Sequence, residues 1–159
     1  MDINQLIQEY HPMIYKICRV YSDEYDFDDL YQEISINLWK GLKRYEGKSK
    51  LSTWAYRVAL NTALTYQRNN SKHRNKTPLS ESMVPASSSD EAAEKEQRVQ
   101  RLFDAVRQLE KVDRSVMLLY LEEKKYDEIA EITGLSASNV GVKISRAKKQ
   151  LRKLLEGQI

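Results

Sequence analysis

Asn139, Lys143, Arg146, Gln150 and Lys153 recur every three or four residues near the end of the chain, so a helix there lines them along one side. Amide and cationic groups at that spacing can hydrogen-bond base edges and grip phosphate oxygens, the two chemistries by which duplex DNA is read and held. Val140, Ile144, Ala147, Leu151 and Leu154 interleave with them and form an apolar stripe that would anchor the helix. Upstream lies Tyr126-Asp127-Glu128-Ile129-Ala130-Glu131-Ile132-Thr133-Gly134-Leu135-Ser136, which reads as a first helix and a tight turn. Ile129 and Ile132 face inward, and Ala130 is small where a second helix must cross closely. Gly134 can take the left-handed conformation that ends a helix, Leu135 plugs the corner, and Ser136 caps the next helix. A basic face alone is as readily a solvated surface; the turn before it favours a helix-turn-helix that binds DNA. Lys148, Lys149 and Arg152 would contact phosphates and make binding salt-dependent. Lys125 stands where a Ser or Thr cap is expected before Tyr126.

A second set of groups lies in the first half. Arg57, Asn61 and Arg68 fall at spacings of four and seven, with Tyr56 and Tyr66 nearby and a polar Gly47-Lys48-Ser49-Lys50 loop before them. Lys72, His73 and Arg74 extend the positive charge. Aromatic and cationic groups together suit unstacked, single-stranded bases, although Trp54 reads more simply as core. Leu51, Trp54, Ala55, Val58 and Thr62 would form the core side of this helix.

On the preceding helix, Leu30, Tyr31, Ile34, Leu38 and Leu42 share one face, while Asp29, Gln32, Glu33 and Lys40 share the other, with Ile36 among them. An isoleucine set among carboxylates and amides suits a protein interface; Asp28 and Asp29 also complement the helix dipole. Asp26, Asp28, Asp29 and Glu33 could instead hold a divalent cation for nuclease chemistry. Against that, Asp29 and Glu33 would point outward, and no nearby His or Lys looks like a partner base. The chain is therefore expected to be no enzyme and to use no metal or cofactor.

The elements that must carry these groups are helical throughout. Ile3, Leu6, Ile7, Tyr10, Ile14, Ile17, Cys18 and Tyr21 mark a first helix that Pro12 should break or kink. A second runs from Phe27 to about Tyr45 with Asp26 as N-cap, and a third from near Ser49 to about Arg68. Val99, Leu102, Phe103, Val106 and Leu109 mark a fourth; Asp113 should cap a fifth, rich in Val116, Leu118, Leu119 and Leu121. Tyr126–Thr133 and Ala137–Leu155 follow. Between the halves, Asn, Ser, Lys, Thr and Pro crowd residues 69–90, as in Ser87-Ser88-Ser89, and read as a flexible linker.

With 159 residues, 41% hydrophobic and 31% charged, the chain can bury one or two small cores. Five glycines and three prolines disfavour a turn-rich β fold. The net charge of +3 hides an acidic front (Asp23, Glu24, Asp26, Asp28, Asp29, Glu33) and a basic back, so different surfaces suit protein and nucleic-acid partners. Cys18 is the single cysteine, which excludes an internal disulfide. No signal-peptide layout or membrane span is evident, and a cytoplasmic location is expected.

Together these residues resemble the extracytoplasmic-function sigma factors of bacterial RNA polymerase, over nearly the whole chain except the linker. Asp29-Leu30-Tyr31-Gln32-Glu33 with Leu38-Trp39 is similar to that family's polymerase-binding helix, and Leu51-Ser52-Thr53-Trp54-Ala55-Tyr56-Arg57-Val58-Ala59-Leu60-Asn61-Thr62-Ala63 to its promoter-melting segment. The helix-turn-helix, ending in Ser145-Arg146-Ala147-Lys148, is similar to its minus-thirty-five reader. The resemblance implies an all-α fold of two small helical domains on a flexible linker: 1–75 as region 2, 76–92 as linker, 93–159 as region 4.

It also implies roles. Asp29, Gln32, Glu33, Ile36 and Trp39 would meet the clamp helices of the polymerase's largest subunit, and the polymerase's flap region is a further expected contact. Asn61, with the loop around Lys48 and Ser49, would hold a base flipped from the minus-ten strand, beside Arg57, Tyr66 and Arg68. Ser136, Ser138, Asn139, Lys143, Arg146, Lys148 and Lys149 would read or position the minus-thirty-five duplex. Gly141 and Val142 depart from the family, whose members often carry a basic and a small polar residue there; Ser35 replaces a bulkier apolar one. Partners implied are core polymerase, promoter DNA and an anti-sigma factor, without membrane insertion. The alternative is a conventional regulator whose helix-turn-helix binds duplex DNA without polymerase.

Overall fold

The structure, a computed structural model, describes residues 2–70 and 90–157, except for the side chains of 67–70. Among the described residues it contains seven α-helices and no strand. Of the expected linker, 76–89 lies outside the described residues, as do Lys72, His73 and Arg74.

Three helices make the first unit: α1 (Ile3–Tyr21), α2 (Phe27–Leu42) and α3 (Leu51–Asn70). Asp2 and Gln5 start α1 with a reciprocal capping box, each side chain accepting from the other's backbone N–H. Pro12 does not break α1, which runs through it. The helix on either side is held by its buried face, Leu6 before it and Met13, Ile14, Ile17 and Tyr21 after it, and that burial outweighs one lost backbone bond.

The acidic front has a structural task. Asp23 is buried, and its carboxylate accepts the backbone N–H groups of Tyr25 and Asp26, while the Asp26 carboxylate accepts that of Asp23. Asp26 therefore builds the α1–α2 turn and gives no side-chain cap to α2, contrary to expectation. α2 also stops at Leu42, short of Tyr45. Tyr45 instead folds its ring 5.3 Å from that of Trp54, and its hydroxyl donates to the Ser49 carbonyl. Gly41 is required here: a Cβ would sit 2.8 Å from Trp54 Cζ2, so only glycine lets α2 approach this closely.

The second unit is α4 (Asp90–Arg107), α5 (Lys111–Leu121), α6 (Tyr126–Thr133) and α7 (Ala137–Glu156). α4 begins earlier than the apolar spacing predicts, taking Asp90, Glu91 and Ala92 from the expected linker; acidic residues in a first turn complement the dipole, and alanine favours a helix. Glu110 is the residue before α5, so Asp113 lies inside its first turn and does not cap it. Phe103, Val106, Val116, Leu119, Ile129, Ile132, Ile144 and Leu151 fill this unit's interior.

The two units touch. α1 packs on α4 and α5, and α3 packs on α6. The Tyr21 hydroxyl, fully buried, lies 2.5 Å from both the Lys111 carbonyl and Ser115 Oγ. Arg114 reaches the Val20 carbonyl at 3.4 Å, Lys16 pairs with Glu122, and the Arg19 guanidinium lies 4.3 Å from the Phe103 ring centre.

Candidate nucleic-acid interface

The turn between α6 and α7 forms as its residues dictate. Gly134 sits at φ +82°, and its N–H donates to the Ala130 carbonyl at 2.8 Å. Thr133 Oγ1 donates back to Ile129 and accepts from the Leu135 N–H. Ser136 Oγ then accepts the Asn139 N–H at 3.1 Å, which caps α7. Val140, Ile144, Ala147 and Leu151 are buried against α5 and α6, leaving Ser138, Asn139, Val142, Ser145, Arg146 and Lys149 exposed on the far side. Such a helix can enter a major groove only if that side is free, and it is.

The other candidate surface is a groove of about 970 Å³ between α2 and α3. Its α2 wall carries Glu33, Asn37 and Lys40, with Arg44 in the turn just after that helix; its α3 wall carries Asn61, Thr65 and Tyr66. Asn37 Nδ2 donates to Thr62 Oγ1 at 2.9 Å, and Thr62 donates to the Val58 carbonyl, so the floor is tied across the two helices. Hydrogen-bonding side chains, one aromatic ring and several cations around an open groove can receive a base and its phosphates. On the outer face of α2, Ile36 and Trp39 are 44% and 45% exposed, and Lys43 Nζ stands 3.9 Å over the Trp39 ring. Apolar side chains this exposed among Asp29, Gln32 and Glu33 suit a protein contact.

Residues 6–73 match the family model for Sigma-70 region 2, and residues 100–151 match that for Sigma-70 region 4. The chain is 30% identical over 157 residues to the RNA polymerase sigma factor SigS of Staphylococcus aureus strain JH9, covering 94% of this chain and 96% of that one. This chain belongs to the extracytoplasmic-function sigma factors. It is also 25% identical to the ECF RNA polymerase sigma-E factor of Haemophilus influenzae, over 96% of this chain and 87% of that one. Two solved structures share the fold: CnrH in complex with the cytosolic domain of CnrY (TM-score 0.68, 21% identity, 99% and 89% covered) and RpoE of Bartonella quintana in complex with the anti-sigma factor NepR (TM-score 0.73, 17% identity, 96% of each). As a sigma factor, the protein directs core RNA polymerase to promoters and serves transcription initiation. Among the described residues no helix is long and apolar enough to cross a membrane.

Most of the residues singled out from the sigma factor's sequence stand together on three surfaces. Asp29, Gln32, Glu33, Ile36 and Trp39 are exposed on α2, and Asn61 and Tyr66 line the groove. Lys48 is exposed in the loop before α3, paired with Glu46 at 3.2 Å, and Ser49 is held there by Tyr45. Arg68 lies in α3, but its side chain is outside the described set.

Other positions differ from expectation. Tyr56 does not offer a face to bases: it is buried toward the second unit, under the Lys124 ammonium at 5.2 Å. The core side of α3 is accordingly Ala55, Tyr56, Ala59, Leu60 and Ala63, while Leu51, Trp54 and Val58 are half-buried. Arg57 donates to the Glu131 carbonyl on α6. Lys143 lies on the flank of α7, its side chain 28% exposed and bonded to Asp113 at 3.3 Å. Lys148 stands 4.5 Å over the Tyr120 ring, and a bond to that tyrosine's hydroxyl raises its pKa. Sequence reasoning missed Lys43, Arg44 and Asn37; only the pairing of α2 with α3 gathers them around Asn61.

Proposed function

We propose that this sigma factor divides promoter recognition between the α2–α3 groove and α7, while the outer face of α2 docks on the clamp helices of the polymerase. The observation that carries this reading is the position of Asn61, in one groove with Glu33 of α2, so the strand-holding and polymerase-facing surfaces adjoin. A base pushed out of the minus-ten strand would enter beside Asn61 and Tyr66, with Lys48 and Ser49 closing the loop side and Arg57 and Arg68 along the backbone. Ser136, Ser138, Asn139 and Arg146 would contact the minus-thirty-five duplex, with Lys149 and Lys148 on phosphates and Lys143 at the margin.

The magnitudes permit melting without catalysis. Separating one base-pair step forfeits about 1.4 kcal/mol of stacking, and one base stacked on an aromatic side chain recovers roughly 1–3 kcal/mol. A single captured base thus offsets about one step, and the clamp and α7 contacts must hold the remainder. Tethering both units on one polymerase raises the effective concentration of each for its own element.

The domains proposed are 1–75, a linker at 76–92 and 93–159, with α4 beginning at Asp90, inside the end of that linker. The sigma factor would act in the cytoplasm, supply no catalytic group, and be inhibited by an anti-sigma factor covering its polymerase-facing surfaces; one structural neighbour was solved in complex with an anti-sigma factor. Transcription by core polymerase with and without the chain, on fragmented genomic DNA with start-site mapping, tests the proposal. Start sites that appear only with the chain support it; an unchanged transcript set refutes it.

A further inference from the structure

We propose that Val142 reads a thymine methyl group in the minus-thirty-five duplex, so that α7 selects sequence by an apolar contact as well as by hydrogen bonds. The inference rests on the reading that α7 enters a major groove, and it adds the chemistry of the base it selects.

The buried stripe of α7 fixes which way the helix faces. Val140, Ile144, Ala147 and Leu151 look into the second unit. At 3.6 residues per turn, the position opposite the middle of that stripe near the helix start is 142. Ser138 and Ser145 fall to one side of it, and Arg146 and Asn139 to the other. Lys143 is rotated toward the core and held by Asp113. If the outward face of α7 lies in a groove, Val142 reaches deepest.

Its chemistry then limits what it can meet. Val142 is 46% exposed, the one large apolar residue exposed on α7 among the described residues. A β-branched side chain is also a poorer helix former than alanine, so α7 gains nothing in its own stability from valine here. In the major groove the donors and acceptors of guanine, adenine and cytosine need a polar partner or water, and an isopropyl group set against them removes the water and returns no bond. The C5-methyl of thymine is the carbon surface that the major groove presents. Covering one methyl group is worth about a fourfold change in affinity.

The test uses holoenzyme assembled from core polymerase and the full chain, on a promoter found by start-site mapping. Each thymine of the upstream element is replaced singly by deoxyuridine, which removes only the methyl group. Wild-type holoenzyme should lose about fourfold in affinity at one thymine. Val142→Ala should show a similar loss on the thymine promoter and no further loss from deoxyuridine at that position. The proposal is overturned if every deoxyuridine duplex binds like its parent, or if Val142→Ala stays sensitive at the same thymine. A Val142→Ala chain that weakens on core polymerase instead of DNA would assign the side chain to a protein contact and also overturn it. Holoenzyme that forms but makes no contact with the upstream duplex would refute the wider reading of α7, and this inference with it.

Discussion

Arg57 on α3 donates a 2.9 Å hydrogen bond to the backbone carbonyl of Glu131 on α6. The guanidinium proposed to follow the minus-ten backbone is thereby engaged by the first helix of the helix-turn-helix. The two elements, about 25 base pairs apart by name, lie roughly 85 Å apart along duplex DNA at 3.4 Å per base pair. For units packed α1 on α4 and α3 on α6 to serve the two elements as proposed, they would have to separate on the polymerase. The bonds between them net about 0.5–1.5 kcal/mol each, and the partly exposed Lys16–Glu122 pair adds no more than about 1 kcal/mol. Fluorophores at Glu46→Cys and Gln150→Cys should move apart when core polymerase is added to the full chain. Unchanged energy transfer would show that the halves stay closed.

Glu33 is exposed on α2, on the side proposed to meet the polymerase. Glu33→Lys should weaken core binding at least tenfold by reversing a charge at the proposed contact, with little change in thermal stability. Equilibrium binding to core with a melting curve alongside checks both. Unaltered affinity would move the docking surface elsewhere on α2.

Arg146 and Lys149 are both exposed on α7 but should fail differently. Arg146→Ala should cost about 1–3 kcal/mol and relax preference at one base pair. Lys149→Ala should weaken all upstream sequences alike and lower the salt slope by about one charge. Holoenzyme binding to a set of single-base variants at several salt concentrations separates the two.

Cys18 is fully buried, and that burial, aided by the nearby carboxylates of Asp26 and Asp28, pushes its thiol up from 9.0 to about 12. Burial also raises the hydroxyls of Tyr21 and Tyr56, for Tyr56 with Glu122 adding to it. A raised folded-state pKa means that the unfolded chain loses its proton first. Stability should be at its full value below about pH 9 and fall as the pH climbs toward 12. Denaturant midpoints measured from pH 7 to 11 should decline, and the thiol should react with a thiol reagent only on unfolding. A flat profile or fast native labelling would contradict this burial.

The sequence disclosed the helix-turn-helix nearly to the atom, because its signals are local: Gly134 for a left-handed turn and Ser136 for a cap act within a few residues. The helices were legible from apolar spacing, but their ends were not. Tyr45 leaves α2 to meet Trp54 and Ser49, a choice made by tertiary packing. Tyr56 looked like a base-stacking surface because nothing local says that α6 and the α5–α6 turn will cover it. The contact of Tyr21 with Ser115 spans 94 residues and carries no pattern in the chain. The groove around Asn61 was half visible: its α3 wall shows as spacing, while Asn37, Lys40 and Arg44 join it only when Gly41 lets α2 close on Trp54.

The central claim, that one polymerase presents two separated surfaces of this sigma factor to one promoter, is tested most directly by footprinting. With core polymerase and the full chain, the promoter should show two protected stretches and reactive unpaired thymines in the downstream one, and the chain alone should protect neither. One stretch protected by the chain without polymerase, and not extended by adding it, would contradict the claim and make the protein a conventional duplex-binding regulator.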